Sequence, residues 1–125
     1  MTPQLKPADF PAWRDTAPSG NAETSAEKTQ PIVLDVRENW ELQTASVKPD
    51  GFTLLHIPMG QIVARLSELQ DAHDGEQAIA CLCHHGVRSQ RVASFLAQNG
   101  FSAVVNLQGG IEAWSSQLDS SVPHY

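Results

Sequence analysis

The sequence predicts an α/β sandwich around a parallel sheet, and three observations carry that prediction. Four short apolar runs lack the alternation of a half-exposed strand and read as strands buried on both faces. Between them, apolar residues recur at helical spacing. Strand and helix patterns alternate along the chain, as they do where helices cover both faces of one sheet. The chain has 125 residues. That is the size of one domain, able to bury about two thirds of its unfolded surface without a metal or disulfide.

In chain order, Leu5 to Arg14 carries Pro7, Phe10, Pro11 and Trp13, enough apolar surface to dock on a core. Residues 16–30, TAPSGNAETSAEKTQ, contain no large apolar side chain and are expected to form an exposed connection. The first run is Ile32-Val33-Leu34, ending at Asp35. Trp40 is assigned to core packing. Val47 to Gly51 forms a turn before the second run, Phe52 to Ile57, which Pro58 stops. Ile62, Leu66 and Leu69 then predict a helix. The third run is Ala78 to Cys83. Val92, Phe95 and Leu96 define the next helix, with Gly100 at its C-terminal glycine position. Val104 to Leu107 is the fourth run, closed by Gly109-Gly110. Ile111, Trp114 and Leu118 form a last core-facing stripe. The expected organisation is a single domain over 1–125, with its core at about 31–117 and a tail at 118–125.

Lys and Arg number 8 against 14 Asp and Glu, a net charge of −6. This balance argues against a nucleic-acid or membrane-surface binder, which needs excess positive charge. No apolar run approaches the ~18 residues of a membrane span, and Met1 to Lys6 lacks the pattern of a signal peptide. The two cysteines, Cys81 and Cys83, are too close for an unstrained disulfide. Free thiols fit a reducing compartment, and the expected location is cytoplasmic. Core assignment leaves no large exposed apolar stripe, so a monomer is expected.

In open α/β sheets, ligands bind where strands end and helices begin. That rule points to Cys83-His84-His85-Gly86-Val87-Arg88-Ser89. A strand delivers Cys83, Gly86 makes a tight turn, and a helix starts near Arg88 or Ser89. Successive N–H groups then face one concavity beside the positive end of a helix dipole. A cysteine at the rim of such a concavity is favoured as the thiolate, the nucleophilic form. From Gln77 to Gly110 there is no Asp or Glu, while Arg88 and Arg91 are present. His84 and His85 add charge or hydrogen-bond donors. Cys81, inside the apolar run, reads as core. Zinc is not expected. Cys81, Cys83, His84 and His85 crowd into five residues, and His56, His73 and His124 supply no second ligand pair. Asp35 and Arg37, just past a strand, read as supporting hydrogen-bonding residues, and Glu38 as a charge near a helix start.

The Cys83–Ser89 loop resembles the active-site loop of rhodanese-like sulfurtransferases. Leu34-Asp35-Val36-Arg37-Glu38 is similar to that family's D-V-R-E segment. His56-Ile57-Pro58-Met59-Gly60-Gln61-Ile62 resembles its H-I-P-G-A segment, and Asn106-Leu107-Gln108-Gly109-Gly110-Ile111-Glu112-Ala113-Trp114 its terminal G-G-x-x-A-W. The resemblance implies a three-layer α/β/α sandwich with a central, mostly parallel five-stranded sheet. It also implies a chemistry. Cys83 takes a sulfane sulfur from a donor such as thiosulfate and passes it, as a persulfide, to cyanide or a thiol. His84, His85, Gly86, Val87, Arg88 and Ser89 form the substrate-binding loop, with Arg88 orienting the loop or an anionic donor. No cofactor is required. The implied partners are a small sulfur donor and a thiol acceptor, which could be a protein. Two alternatives stand beside this reading: a non-enzymatic persulfide carrier or redox-sensing module, and a phosphatase or arsenate reductase of the same fold. Those enzymes have five residues between cysteine and arginine. Four here make a narrower cradle, suited to a sulfur atom rather than a phosphoryl group.

Overall fold

The computed structural model describes residues 3–16, 31–72, 78–101 and 103–124. Thus 17–30, most of the expected exposed connection, lie outside the described residues, as does His73. The elements in order are β1 (Gln4–Leu5), a 3-10 turn (Pro7–Asp9), α1 (Phe10–Thr16), β2 (Ile32–Asp35) and α2 (Asn39–Thr44). Next come β3 (Thr53–His56), a second 3-10 turn (Met59–Gln61), α3 (Leu66–Ala72) and β4 (Ile79–Leu82). The chain continues through α4 (Val87–Gln98), β5 (Val104–Leu107) and α5 (Gly110–Gln117).

Among the described residues the five strands lie in the order β1-β5-β4-β2-β3, and every pairing is parallel. The expected three-layer sandwich is therefore present, with a fully rather than mostly parallel sheet. Strand side chains alternate between faces. Ile32, Leu34, Ile79 and Cys81 pack under α3 and α4 through Leu69, Val92, Ala93 and Leu96. Val33, Ala80, Leu82 and Leu107 face Phe10 of α1 and Ile111 and Trp114 of α5. Both faces are covered, which is why the strands read as continuous apolar runs. Each fully buried Leu, Ile or Val on them contributes about 1.5–3 kcal/mol of transfer free energy.

The connection after β2 packs through Ala45, Val47 and Phe52 on the α5 face. The segment after β4 leaves on the opposite face, as α4. Because β2 and β4 are hydrogen-bonded neighbours, their C-terminal ends flank the crevice where an open parallel sheet changes winding direction. Cys83 follows β4 at that point.

Two expectations need correction. Ile62 does not begin a helix: it caps the Met59–Gln61 turn, and α3 starts only at Leu66. Ile62 is buried there all the same, so helical spacing identified its core role but not its backbone. Trp40 is not core; it is 61% exposed, because Glu41 takes the inward position on α2. The tail, over its described residues 118–124, packs on the domain. Val122 is buried against the α5 face, and its carbonyl accepts from Ser115 Oγ at 2.6 Å. His124 Nδ1 lies 2.9 Å from Glu112 Oε1.

Candidate active site

The loop after β4 is built by two backbone devices. Gly86, at φ +97°, caps α4 in the left-handed region that glycine adopts without steric cost. The first helical bond is Gln90 N–H to Gly86 O at 3.2 Å. The N–H groups of Val87, Arg88 and Ser89 thus have no acceptor within the helix and add to its positive end. The second device is α5. Ile111 N–H donates to Cys83 O at 2.8 Å, and Glu112 N–H to His84 O at 3.2 Å. The glycine pair ahead of Ile111 permits that close approach. A Cβ on Gly110 would lie 2.4 Å from Cys83 O.

The sulfur of Cys83 receives Gly86 N–H at 3.0 Å, and Ser89 Oγ lies 3.3 Å from it. Cys83 is 1% exposed. It therefore sits on the floor of the loop, not on its rim, because its side chain continues the buried face of Ile79 and Cys81. Of the other loop residues, Val87 and His85 are exposed and His84 is half-buried. The two imidazoles stack with centroids 3.9 Å apart, and His84 Nε2 lies 3.9 Å from Glu112 Oε2.

Arg88 is drawn to a carboxylate that motif reading missed. Its Nη1 and Nη2 donate to Glu41 Oε1 and Oε2 at 2.6 and 2.8 Å. This two-pronged pair ties the start of α4 to α2. Glu41 also accepts from the Glu38 N–H at 3.1 Å as part of the α2 capping box. We expect Arg88→Ala to lower stability by about 2 kcal/mol, less than the ~3–5 kcal/mol of a fully buried pair because the arginine is partly solvated. Arg88→Lys should recover only part of this, since an ammonium cannot match both carboxylate oxygens. Urea unfolding of the three proteins measures both effects.

Asp35 and Arg37 lie at the end of β2, beside β4. Both side chains are fully buried and pair at 2.7 Å. Arg37 also donates to Glu41 O at 3.3 Å and Ala45 O at 2.9 Å, which fixes the turn from β2 into α2. His56 Nε2 meets Arg37 O at 2.7 Å.

Asn106 is the second residue that motif reading left without a role. It lies on β5, buried on the α4 face. Its sequence signals are a lone amide in the apolar run Val104-Val105-Asn106-Leu107 and a place at the head of the segment that resembles the terminal G-G-x-x-A-W motif.

Cys81 is core, as expected. Burial, with Cys83 close by, pushes its thiol well up from the ordinary range. The folded chain keeps a proton that the unfolded chain releases above ~pH 8.5. Stability should therefore fall as pH rises from there, by up to ~1.4 kcal/mol per pH unit from this group. Cys81→Ala should remove that part of the slope, measured as urea midpoints between about pH 8 and pH 10.

The comparisons agree with this architecture. The family model of the rhodanese-like domain matches residues 20–117. The chain is 36% identical over 93 residues to rhodanese-like/PpiC domain-containing protein 12, chloroplastic, of Arabidopsis thaliana, covering 74% of this chain and 30% of that protein. The chain thus spans less than a third of the length of that relative. It is 30% identical over 95 residues to the thiosulfate sulfurtransferase GlpE of Coxiella burnetii, covering 76% of this chain and 81% of that protein. A rhodanese-related protein from Thermoplasma volcanium superimposes with a TM-score of 0.68 at 25% identity, covering 93% of both chains. With the fold, the four ordered motifs and the family model in agreement over one stretch, the chain belongs to the rhodanese-like domain family.

Proposed function

We propose that this chain is a sulfurtransferase that carries a sulfane sulfur on Cys83. The observation that carries the reading is the convergence of Gly86 N–H and Ser89 Oγ on Cys83 Sγ at the N-terminus of α4. Hydrogen-bond donors and a helix dipole aimed at one sulfur suit the negative charge that a persulfide carries there. The name of the Coxiella burnetii relative, a thiosulfate sulfurtransferase, supports the same chemistry.

In the first step the Cys83 thiolate attacks the outer sulfur of thiosulfate. A new S–S bond forms, the bond to the sulfonate sulfur breaks, and sulfite leaves with the electron pair. Cys83 is left as an anionic persulfide of the same net charge. Cyanide or a thiolate acceptor then attacks the outer persulfide sulfur, and the Cys83 thiolate leaves. With cyanide the product is thiocyanate. Every step is a displacement at sulfur between anions, so the protein's contribution is donor groups held in place before the reaction. The narrow loop, with four residues between Cys83 and Arg88, suits one added sulfur rather than a tetrahedral phosphoryl group. The free thiols fit work in a reducing compartment such as the cytoplasm.

The test is sulfur loading. Incubated with thiosulfate, the protein should gain the mass of one sulfur atom on the peptide containing Cys83, and cyanide should remove it. No gain in mass, or a gain that persists in Cys83→Ser, would contradict the reading.

A further inference from the structure

We propose that Asn106 is a positioning residue for Cys83: its amide holds both groups that touch the sulfur, and its carbonyl oxygen competes with the sulfur for the single hydroxyl proton of Ser89. The inference rests on Cys83 as the reactive sulfur and assigns a role to a side chain to which the sequence analysis gave none.

The geometry is closed on itself. Asn106 Oδ1 is 2.5 Å from Ser89 Oγ, and Asn106 Nδ2 is 3.2 Å from Gly86 O and 2.9 Å from Gln4 Oε1. Gly86 O can only accept, so the amino group must face it and the carbonyl oxygen must face Ser89. Gln4 in turn donates to Gln90 Oε1 on α4. Hence β1, β5 and the first turns of α4 are joined through one buried amide. Two of the three residues bonded to it, Gly86 and Ser89, are the two whose donors reach Cys83 Sγ.

A serine hydroxyl has one proton to give. Sγ at 3.3 Å and Oδ1 at 2.5 Å cannot both receive it. With the sulfur protonated, the thiol donates to Ser89 Oγ and Ser89 donates to Asn106, and every group is satisfied. With the sulfur anionic, the hydroxyl turns to Sγ without moving a heavy atom. Asn106 Oδ1 is then left without that donor. Asn106 therefore favours the protonated thiol by roughly one hydrogen bond, through the proton of Ser89.

Other ionisable groups lie on the elements packed around the loop. Cys81 lies on β4, His84 and His85 on the loop, Arg88 with Glu41 at the α4–α2 junction, Asp35 with Arg37 at the end of β2, and Glu112 on α5. None of them is changed in the experiment, so each contributes equally to every variant. The experiment follows iodoacetamide alkylation of Cys83 against pH, with the site read by peptide mass, in the full chain, Ser89→Ala, Asn106→Leu and the double variant. Alkylation needs no sulfur donor, so its outcome is separate from that of the sulfur-loading test.

Ser89→Ala should raise the pH of half-maximal alkylation rate by about 0.7 unit, the equivalent of a ~1 kcal/mol hydrogen bond. Asn106→Leu, close to asparagine in size, should lower it by a similar amount, because the Ser89 proton then has only the sulfur to serve. The double variant should match Ser89→Ala alone, since Asn106 acts through Ser89. If Asn106→Leu does not fold, Asn106→Val carries the same expectation in a residue suited to a strand. An unchanged or raised midpoint in the Asn106 variant, or the same Asn106 effect with and without Ser89, would overturn the proposal. A purely structural Asn106 would change the unfolding midpoint and leave the alkylation profile in place.

Discussion

Arg37→Ala should cost about 3–5 kcal/mol of folding stability, a large share of the 5–15 kcal/mol margin typical of a domain. The partner left behind, Asp35, is fully buried and would hold a charge with no counter-ion. Three of its contacts would vanish together, from Arg37 Nε at 2.9 and 3.1 Å and from Nη2 at 2.7 Å. The carbonyls of Glu41 and Ala45 would also lose a donor. Only the Arg37 backbone N–H, 3.1 Å from Asp35 Oδ1, would remain. The double variant Asp35→Ala/Arg37→Ala should be less damaging than the sum of the two single changes, since it removes both charges at once. Urea denaturation of the four proteins reads the coupling directly, and additive losses would show that the pair is not interacting as described. Because Arg37 anchors the segment that presents Glu41 to Arg88, sulfur loading on Cys83 should weaken as well.

Gly110→Ala should be nearly as severe and should fall more directly on the site. Its φ of +61° disfavours any side chain by about 1–2 kcal/mol. The added Cβ would also meet backbone on three sides: Cys83 O at 2.4 Å, His84 O at 2.5 Å and His84 C at 2.6 Å. Backbone atoms cannot swing aside as a side chain can, so α5 must back away from the loop. The bonds from Ile111 and Glu112 N–H would then be lost. We expect a loss of at least ~3 kcal/mol together with sulfur loading. Gly60→Ala is the control, since its Cβ would meet nothing within 4 Å. Its cost should stay within about 0.5 kcal/mol. Equal behaviour of the two variants would refute the role given to α5 as a clamp.

The sandwich, the parallel sheet and the loop after β4 were legible in the sequence because each depends on local pattern. Apolar runs marked strands covered on both faces, and Gly86 and the Gly109-Gly110 pair marked turns where backbone must pass close to backbone. What stayed hidden depends on pairs far apart in the chain. Glu41 and Arg88 are 47 positions apart, and nothing local to either indicates the other. Asn106 showed as an isolated amide in an apolar strand, but its purpose appears only once Ser89 and Gly86 stand above it. Trp40 misled because size and apolarity favour burial, whereas the inward place on that short helix belongs to the carboxylate that meets Arg88. The floor position of Cys83 was hidden for a related reason. Motif spacing places the residue after a strand but does not say that its side chain continues the buried face of that strand.

The most direct measurement of the central claim is thiocyanate formation from thiosulfate and cyanide by the unaltered chain, Cys83→Ser and Cys81→Ser. Turnover by the unaltered chain and Cys81→Ser, with none from Cys83→Ser, is the expected result and would establish Cys83 as the sulfur carrier. Turnover that survives in Cys83→Ser, or no turnover and no sulfur on Cys83 in the unaltered chain, would contradict it.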